Sequence, residues 1–204
     1  MAKLKGAVLP PSRDRLREAA KALFAQRGYE ATSTAEIARL AGTSESQLIK
    51  HYGSKQGILE AIFEYAWEQI NPAIRLATES VPAPKDKLRI LVEMVLNYLM
   101  KDQELRTVFL LEGRRVRDEG HMTVVTPGFL ELIKILDGML KEMAGSGELL
   151  SHVNPQALRS ALMGAVEGML RDQLIAKTAR LSAAYSEADI RVLFSTFLSG
   201  CLNK

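Results

Sequence analysis

The chain has 204 residues, of which 47% are hydrophobic and 25% are charged, and its net charge is +3. These values are typical of one or two globular domains and exclude a disordered or fibrous chain. Aromatic residues make up only 6% of the sequence, while Ala, Leu, Arg, Glu and Lys are common. This composition favours an all-α fold and argues against a large β-sandwich.

The charges are unevenly distributed. Residues 1–55 contain ten Lys and Arg against five Asp and Glu, a net charge of +5, whereas the remainder has a net charge of −2. A basic N-terminal region is a candidate for contact with a polyanion such as nucleic acid. An excess of this size also occurs on ordinary protein surfaces. Charge alone therefore does not distinguish a nucleic-acid-binding region from an ordinary surface.

Redox, metal and enzyme signatures are missing from the sequence. The single cysteine, Cys201, cannot form an internal disulfide, and no Cys and His residues have the spacing of a metal site. Phosphate-binding loops and nucleophile elbows are likewise missing. The longest run without Asp, Glu, Lys or Arg, residues 192–203, is shorter than the roughly 18 apolar residues of a membrane span. We therefore expect a cytoplasmic protein that is not an enzyme and binds no cofactor, metal or membrane.

Three helices are predicted near the N-terminus. The first spans residues 12–27 and ends at Gly28, a residue type that commonly terminates helices. Ser33–Glu36 is a capping box, so a short second helix is expected from there to Gly42. Ser44–Gln47 forms a second capping box and predicts a third helix. Two short helices joined by a tight turn form a helix-turn-helix, whose second helix can enter the major groove of DNA.

A specific resemblance is carried by residues spread over these helices. They are Gly28-Tyr29, Thr32-Ser33-Thr34, Ile37-Ala38, Ala41-Gly42, Ser44, Leu48, His51-Tyr52 and Ser54-Lys55. In order and spacing, they resemble the N-terminal DNA-binding signature of the TetR/AcrR family of transcriptional regulators over residues 12–63. The resemblance implies a homodimer that binds a palindromic operator in double-stranded DNA and responds to a small-molecule effector.

Two positions depart from the family pattern. Ile49 stands where the family usually has an aromatic residue, so one phosphate contact is expected to be lost. Glu45 stands where a basic residue is common. A carboxylate at this position would repel phosphates unless it faces a cytosine amine.

Polar residues of the helix-turn-helix are the candidate DNA contacts. Ser33 and Thr34 lie at a helix start that suits a phosphate, and Ser54 and Lys55 repeat the arrangement at the start of a fourth helix. Gln47 can bind an adenine edge in bidentate fashion. The full set is Ser33, Thr34, Ser44, Glu45, Ser46, Gln47, Lys50, His51, Ser54 and Lys55. Tyr52 is interpreted as core packing.

The remaining chain is predicted to be helical as well. The fourth helix begins at Lys55, and Asn71-Pro72 is expected to kink or end it. We place the domain boundary inside this helix, with a DNA-binding domain at 1–60 and an effector-binding and dimerisation domain at 61–204. Five more helices, about nine in all, are predicted at 85–101, 103–119, 127–144, 155–179 and 187–202.

The penultimate of these helices carries small residues on one side. Ala157, Ala161, Gly164 and Gly168 are spaced by four, three and four residues, and glycine inside a helix costs about 1 kcal/mol unless another helix approaches closely. Together with Phe194 and Phe197 they form a candidate dimer interface, which the resemblance supports. Packing within one chain is the alternative, because sequence does not separate the two kinds of helix contact.

An effector cavity is predicted from large adaptable side chains in the second region. Its candidate lining residues are Trp67, Met94, Tyr98, Phe109, Met139 and Met163. Ordinary core packing is the alternative for each of them. The Arg114–Arg117 cluster is a candidate contact for an anionic ligand, although acidic residues follow it. His121 and His152 are interpreted as surface residues.

These observations together predict a ligand-responsive, homodimeric transcriptional regulator, a repressor that a small molecule releases from its operator. One alternative is a constitutive DNA-binding regulator without an effector. The other is a helical enzyme or adaptor in which the helix-turn-helix is incidental. The effector, the operator sequence and the regulated genes do not follow from the sequence.

Overall fold

The computed structural model describes residues 10–116, 122–182 and 185–203. Within these ranges the chain forms nine α-helices and no β-strand, with two isolated β-bridges. The predicted all-α class is therefore confirmed. The helices are α1 (Ser12–Arg27), α2 (Thr34–Leu40), α3 (Glu45–Tyr52), α4 (Lys55–Thr78), α5 (Pro84–Lys101), α6 (Gln103–Glu112), α7 (Pro127–Gly145), α8 (Pro155–Thr178) and α9 (Glu187–Gly200).

The first three helices and the start of α4 share one core, and we call this part the head. Leu16, Ile37, Leu48 and Leu59 come from four different helices and are all fully buried there. Burial of a leucine or isoleucine side chain contributes roughly 1.5 to 3 kcal/mol, so this contact holds the short helices α2 and α3 in place. The turn between them uses Gly42 at φ 62°, a conformation that a side chain would strain.

Helix starts follow the capping signals with one exception. Ser33 and Glu36 form the predicted capping box at the start of α2. Ser44 is the N-cap of α3, but its side chain makes no capping hydrogen bond. Its hydroxyl lies 2.8 Å from the hydroxyl of Ser46 instead. The predicted second capping box is therefore wrong, because a neighbouring side chain takes the hydroxyl of Ser44.

Helix α4 is longer than its sequence indicates. It passes Pro72 and ends only at Thr78, so of the two outcomes expected at Asn71-Pro72, a kink or a helix end, the helix end is wrong. Proline inside a helix costs about 3 kcal/mol, because it removes a hydrogen bond and crowds the preceding turn. Ile70 and Ile74 are buried on either side of it, and their packing offsets this cost. One helix therefore connects the head with the rest of the chain.

Helix α6 is shorter than predicted. It ends at Glu112, not at residue 119. The amides of Thr123 and Val124 donate to the carbonyls of Arg115 and Gly113, and this backbone pairing diverts the chain from the helix. Sequence periodicity does not reveal such pairing, because it depends on a later segment of the chain.

The remaining helices form the regulatory region. Helices α4, α5 and α7 pack on one another, and α6 and α8 cover them. Helix α4 approaches the first turn of α7 closely at Gly128, whose amide donates to Glu64 over 2.8 Å and whose carbonyl accepts from Asn71 over 2.8 Å. A Cβ atom at residue 128 would lie 2.6 Å from Trp67 Cβ. Only glycine fits this contact.

Replacing Gly128 with alanine should therefore lower the free energy of unfolding by about 1 to 3 kcal/mol, the usual cost of overpacking. Gly138→Ala is the matched control in the same helix, because nothing lies within 4 Å of an added Cβ there. It should raise stability by about 0.5 to 1 kcal/mol through helix propensity. Urea unfolding at one fixed protein concentration measures both, and equal effects of the two substitutions would contradict the close approach.

Candidate DNA-binding head and regulatory cavity

The exposed side of α3 is the candidate surface for a DNA groove. Leu48 anchors this helix in the core, whereas Glu45, Ser46, Ile49 and Lys50 are exposed on the opposite side. Gln47 is half-buried at the edge of this surface. A helix fixed by one buried leucine and presenting acceptor, apolar and cationic groups has the composition needed to contact base edges and phosphates.

Several predicted contact residues bind one another. The hydroxyl of Thr34, at the start of α2, donates to Oε1 of Glu45 at the start of α3. The Ser44 and Ser46 hydroxyls form a second pair. The polar groups of the two helices are therefore linked across the turn.

Other predicted contact residues hold the head together. Ser33 and Ser54 accept hydrogen bonds from backbone amides as N-caps of α2 and α4. His51 Nε2 lies 3.1 Å from the hydroxyl of Ser12 on α1. Lys55 donates to the carbonyls of Tyr29 and Thr32, each over 3.1 Å. A phosphate contact by Lys55 stays a prediction, and the structure gives its ammonium group an additional role in joining α4 to the loop after α1.

One residue that stabilises the head, Arg15, was not singled out by the sequence patterns. Arg15 donates from Nε to the carbonyl of Ala41 over 2.9 Å and from a terminal nitrogen to that of Gly42 over 3.4 Å. It thereby fixes the turn of the helix-turn-helix to α1. Tyr52 packs on the core, as expected, and its hydroxyl also donates to the carbonyl of Arg13 over 2.7 Å.

The regulatory region contains an apolar cavity of about 380 Å³. This volume lies within the range of small-molecule sites. Three of the predicted residues, Trp67, Phe109 and Met163, line it. The complete lining is Trp67, Leu91, Val92, Val95, Leu99, Phe109, Gly113, Arg114, Met122, Val124, Val125, Phe129, Leu132, Leu136, Leu162, Met163, Val166 and Glu167.

The other three residues predicted for the cavity lie elsewhere. Met94 is half-buried against the hydrophobic core, and Met139 is buried in it. Tyr98 lies at the junction of α1, α4 and α5, where burial raises the pKa of its hydroxyl. Helical periodicity identifies the apolar side of a helix, but the position of a gap depends on how neighbouring helices pack.

The cavity has charged groups at one side of its rim. Arg114, whose side chain is 62% exposed, forms an ion pair with Glu167, and both residues line the cavity. Glu167 also accepts from Arg171 over 2.8 Å. Two guanidinium groups therefore share the Glu167 carboxylate, and Arg114 lines the cavity whereas Arg171 does not. Arg117 and His121 lie outside the described residues.

A second charged cluster joins the head to the regulatory region. Lys21 on α1 contacts Asp102 over 2.6 Å and Glu18 over 2.8 Å. Burial alone would lower the pKa of Lys21, but the hydrogen bonds to Asp102 and Glu18 raise it above its ordinary value, so the group is charged at neutral pH. Asp102 also caps α6 by accepting from the amide of Leu105. Beside it, the guanidinium of Arg17 stacks on the ring of Tyr65 of α4 at 3.5 Å.

Five of the six predicted dimer residues are exposed on α8 and α9, and Phe194 is the exception. Ala157, Ala161, Gly164 and Gly168 are exposed, and nothing lies within 4 Å of a Cβ added at either glycine. Phe194 is buried, whereas Phe197 is 39% exposed. Within the described residues no helix of the same chain covers the two glycines.

A helix-turn-helix head joined through one helix to an all-helical region with an apolar cavity defines the class of a DNA-binding regulator. The family model described as "Bacterial regulatory proteins, tetR family" matches residues 16–62, and the model described as "YsiA-like protein, C-terminal region" matches residues 63–187. The chain belongs to the tetR family of bacterial DNA-binding transcriptional regulators.

Relatives of known name cover most of the chain. The fatty acid metabolism regulator protein of Bacillus subtilis (strain 168) is 25% identical over 152 residues, which are 74% of this chain and 77% of that protein. The transcriptional repressor BepR of Brucella suis is 25% identical over 168 residues, 80% of each chain. The structure of the regulator FadR from Bacillus subtilis in complex with stearoyl-CoA superposes with a TM-score of 0.78 at 22% identity, covering 91% of this chain and 95% of that one.

In the part of the chain that the structure describes, no group of three or more His, Cys, Asp and Glu residues is placed to hold a metal ion. No helix there combines the length and the apolar character needed to cross a membrane. Cys201 is half-buried on the core.

Lys50 and Lys55 are predicted to affect DNA binding in different ways. Lys50→Ala should weaken binding to a random-sequence duplex and lower the slope of log affinity against log salt by about one, because an exposed phosphate contact is lost. Lys55→Ala should lower the free energy of unfolding by about 1 kcal/mol, because two carbonyls lose their partner. Salt titrations of DNA binding measure the first effect, and thermal unfolding of both variants measures the second. An unchanged stability of Lys55→Ala would contradict the structural role of Lys55.

Proposed function

We propose that this chain acts in the cytoplasm as a homodimeric repressor, not as an enzyme, and that an amphipathic small molecule releases it from a palindromic operator. The observation that carries the proposal is the shared helix α4. Its first turns pack in the head through Ile58 and Leu59, and its later turns place Trp67 in the cavity wall. A ligand that displaces α4 therefore moves both regions.

The chemistry of the cavity supports a ligand with an apolar chain and an anionic group. Its wall is formed almost entirely by aliphatic and aromatic side chains, and Arg114 at its rim pairs with Glu167, which also accepts from Arg171 outside the cavity. The arginines suit phosphate or carboxylate groups, which guanidinium binds in bidentate fashion. Two relatives support this class by name, since one is a fatty acid metabolism regulator and another was solved with stearoyl-CoA.

The ion pair between Lys21 and Asp102 provides a second connection between the cavity and the head. Helix α5 lines the cavity with four residues. Asp102 follows the last residue of this helix and forms an ion pair with Lys21 of α1. A ligand that repositions α5 would also change this ion pair. A ligand shifts the position of the head only to the extent that it binds one arrangement of the head and the regulatory region more tightly than another.

The proposal is tested with a long-chain acyl-CoA as probe. The chain has one tryptophan, so the fluorescence of Trp67 reports occupancy of the cavity. Stearoyl-CoA should change this fluorescence and weaken DNA binding over the same concentration range, because the coupling between two sites is reciprocal. Free coenzyme A and stearate, tested alone, show which part of the probe is required.

A cavity-filling variant is the control for this experiment. Val95 lines the cavity from α5 and is half-buried, so Val95→Phe should occupy part of the space. The variant should bind DNA as the wild type does but lose its response to the probe. If no acyl-CoA, fatty acid or other amphipathic compound alters DNA binding, the protein is a constitutive regulator and the proposal is wrong.

Dimerisation is tested on the exposed small-residue surface of α8. Gly164→Leu should weaken the dimer, since a bulky side chain at a close helix contact typically costs 1 to about 3 kcal/mol. Gly138→Leu is the matched control, because it also adds a side chain to an exposed helical glycine with open space around it. Sedimentation at micromolar concentration should show a monomer only for Gly164→Leu. A monomeric wild type would contradict the proposed assembly.

A further inference from the structure

The one acidic side chain on the exposed surface of α3 is held in a fixed position. Glu45 is the first residue of this helix and is exposed. Its carboxylate accepts a hydrogen bond at Oε1 from the hydroxyl of Thr34, which belongs to the first turn of α2. The two helices of the helix-turn-helix thus share a carboxylate on the surface that a DNA groove would meet.

An ionised carboxylate accepts hydrogen bonds and donates none. The DNA backbone and most major-groove base edges offer acceptors, which would repel it: phosphate oxygens, guanine O6 and N7, and thymine O4. Only cytosine N4 and adenine N6 donate in the major groove, and adenine N7 adds an acceptor next to its donor. Cytosine is therefore the base that complements Glu45.

We propose that Glu45 reads a cytosine in each operator half-site and that Thr34 is the positioning residue that fixes its carboxylate. This inference rests on the proposed function, since it requires sequence-specific binding. Thr34 occupies Oε1 and leaves Oε2 for the base. The hydrogen bond also reduces the conformational freedom that a glutamate side chain would otherwise lose on binding.

Ile49 lies on the same surface of α3 and predicts a second base of the half-site. Ile49 lies one helical turn beyond Glu45 and is 49% exposed. Four residues of helix advance about 6 Å, which corresponds to roughly two base steps of about 3.4 Å. An apolar side chain at this place favours a thymine methyl group. The half-site should therefore contain a cytosine and a thymine within about two base pairs of each other.

The experiment is selection of a motif from a randomised duplex library with the full-length protein and its variants. Glu45→Gln keeps the size of the side chain but adds a donor, and glutamine pairs with adenine N6 and N7. At one position of each half-site, the preferred base should change from cytosine to adenine. The affinity for a site with adenine, relative to one with cytosine, should rise by about tenfold. Glu104→Gln is the matched control, since Glu104 is also an exposed first-turn glutamate but belongs to α6. It should leave the motif unchanged.

Thr34 is tested by a second pair of variants. Thr34→Val removes the hydroxyl at nearly constant volume and should flatten the preference at the same position while the rest of the motif is retained. Thr34→Ser should restore it, because the donor returns. A purely structural role would weaken all sequences equally, and circular dichroism confirms that each variant is folded.

The outcomes separate this inference from the proposed function. Stronger binding of Glu45→Gln to all sequences, with a steeper salt dependence, would mean that Glu45 faces phosphates and would overturn the inference alone. A motif that is identical for wild type and Glu45→Gln would overturn it as well. If the wild-type protein selects no motif at all, the proposed sequence-specific function fails together with the inference.

Discussion

Helix α4 is the element on which the rest of the structure depends. Its 24 residues run without interruption from the cap at Ser54 to Thr78. The first half completes the hydrophobic core of the head, and the second half carries Trp67 into the cavity wall and clamps α7 at Gly128. Because interiors are close-packed and transmit small displacements, we propose that a change at Trp67 is carried along this helix to the head.

The head and the regulatory region use polar and apolar side chains for different purposes. In the head, hydrogen bonds that involve Arg15, His51 and Lys55 hold the helices together, and the side of α3 opposite Leu48 stays exposed as the candidate DNA surface. In the regulatory region, an apolar cavity has an ion pair, Arg114 with Glu167, at its rim. Between them, Lys21 and Asp102 form a half-buried ion pair, which is more costly to break than an exposed one because both charges are partly desolvated. The two regions are thus joined both by a helix and by a charge pair.

Local signals in the sequence predicted most of the fold. Caps such as Ser33 and Ser54 mark helix starts through their own hydrogen bonds, and the structure confirms these starts. Pro72 does not end α4, which was one of the two outcomes expected there, because the packing of its buried neighbours Ile70 and Ile74 outweighs its local cost. The cavity was only partly predictable, since Trp67 and Met139 both lie on apolar helix sides but only Trp67 borders the gap. Arg15 bonds to carbonyls far away in sequence, and no local pattern identifies such a contact.

The most direct test of the central claim is the distance between the two heads of a dimer with and without ligand. A spin label at exposed Arg39→Cys on α2, in a Cys201→Ser background because Cys201 is the single native cysteine, reports this distance by pulsed electron resonance. Stearoyl-CoA should shift the distance distribution at concentrations that also change Trp67 fluorescence. An unchanged distribution at full occupancy of the cavity would contradict the account that α4 couples the cavity to the head.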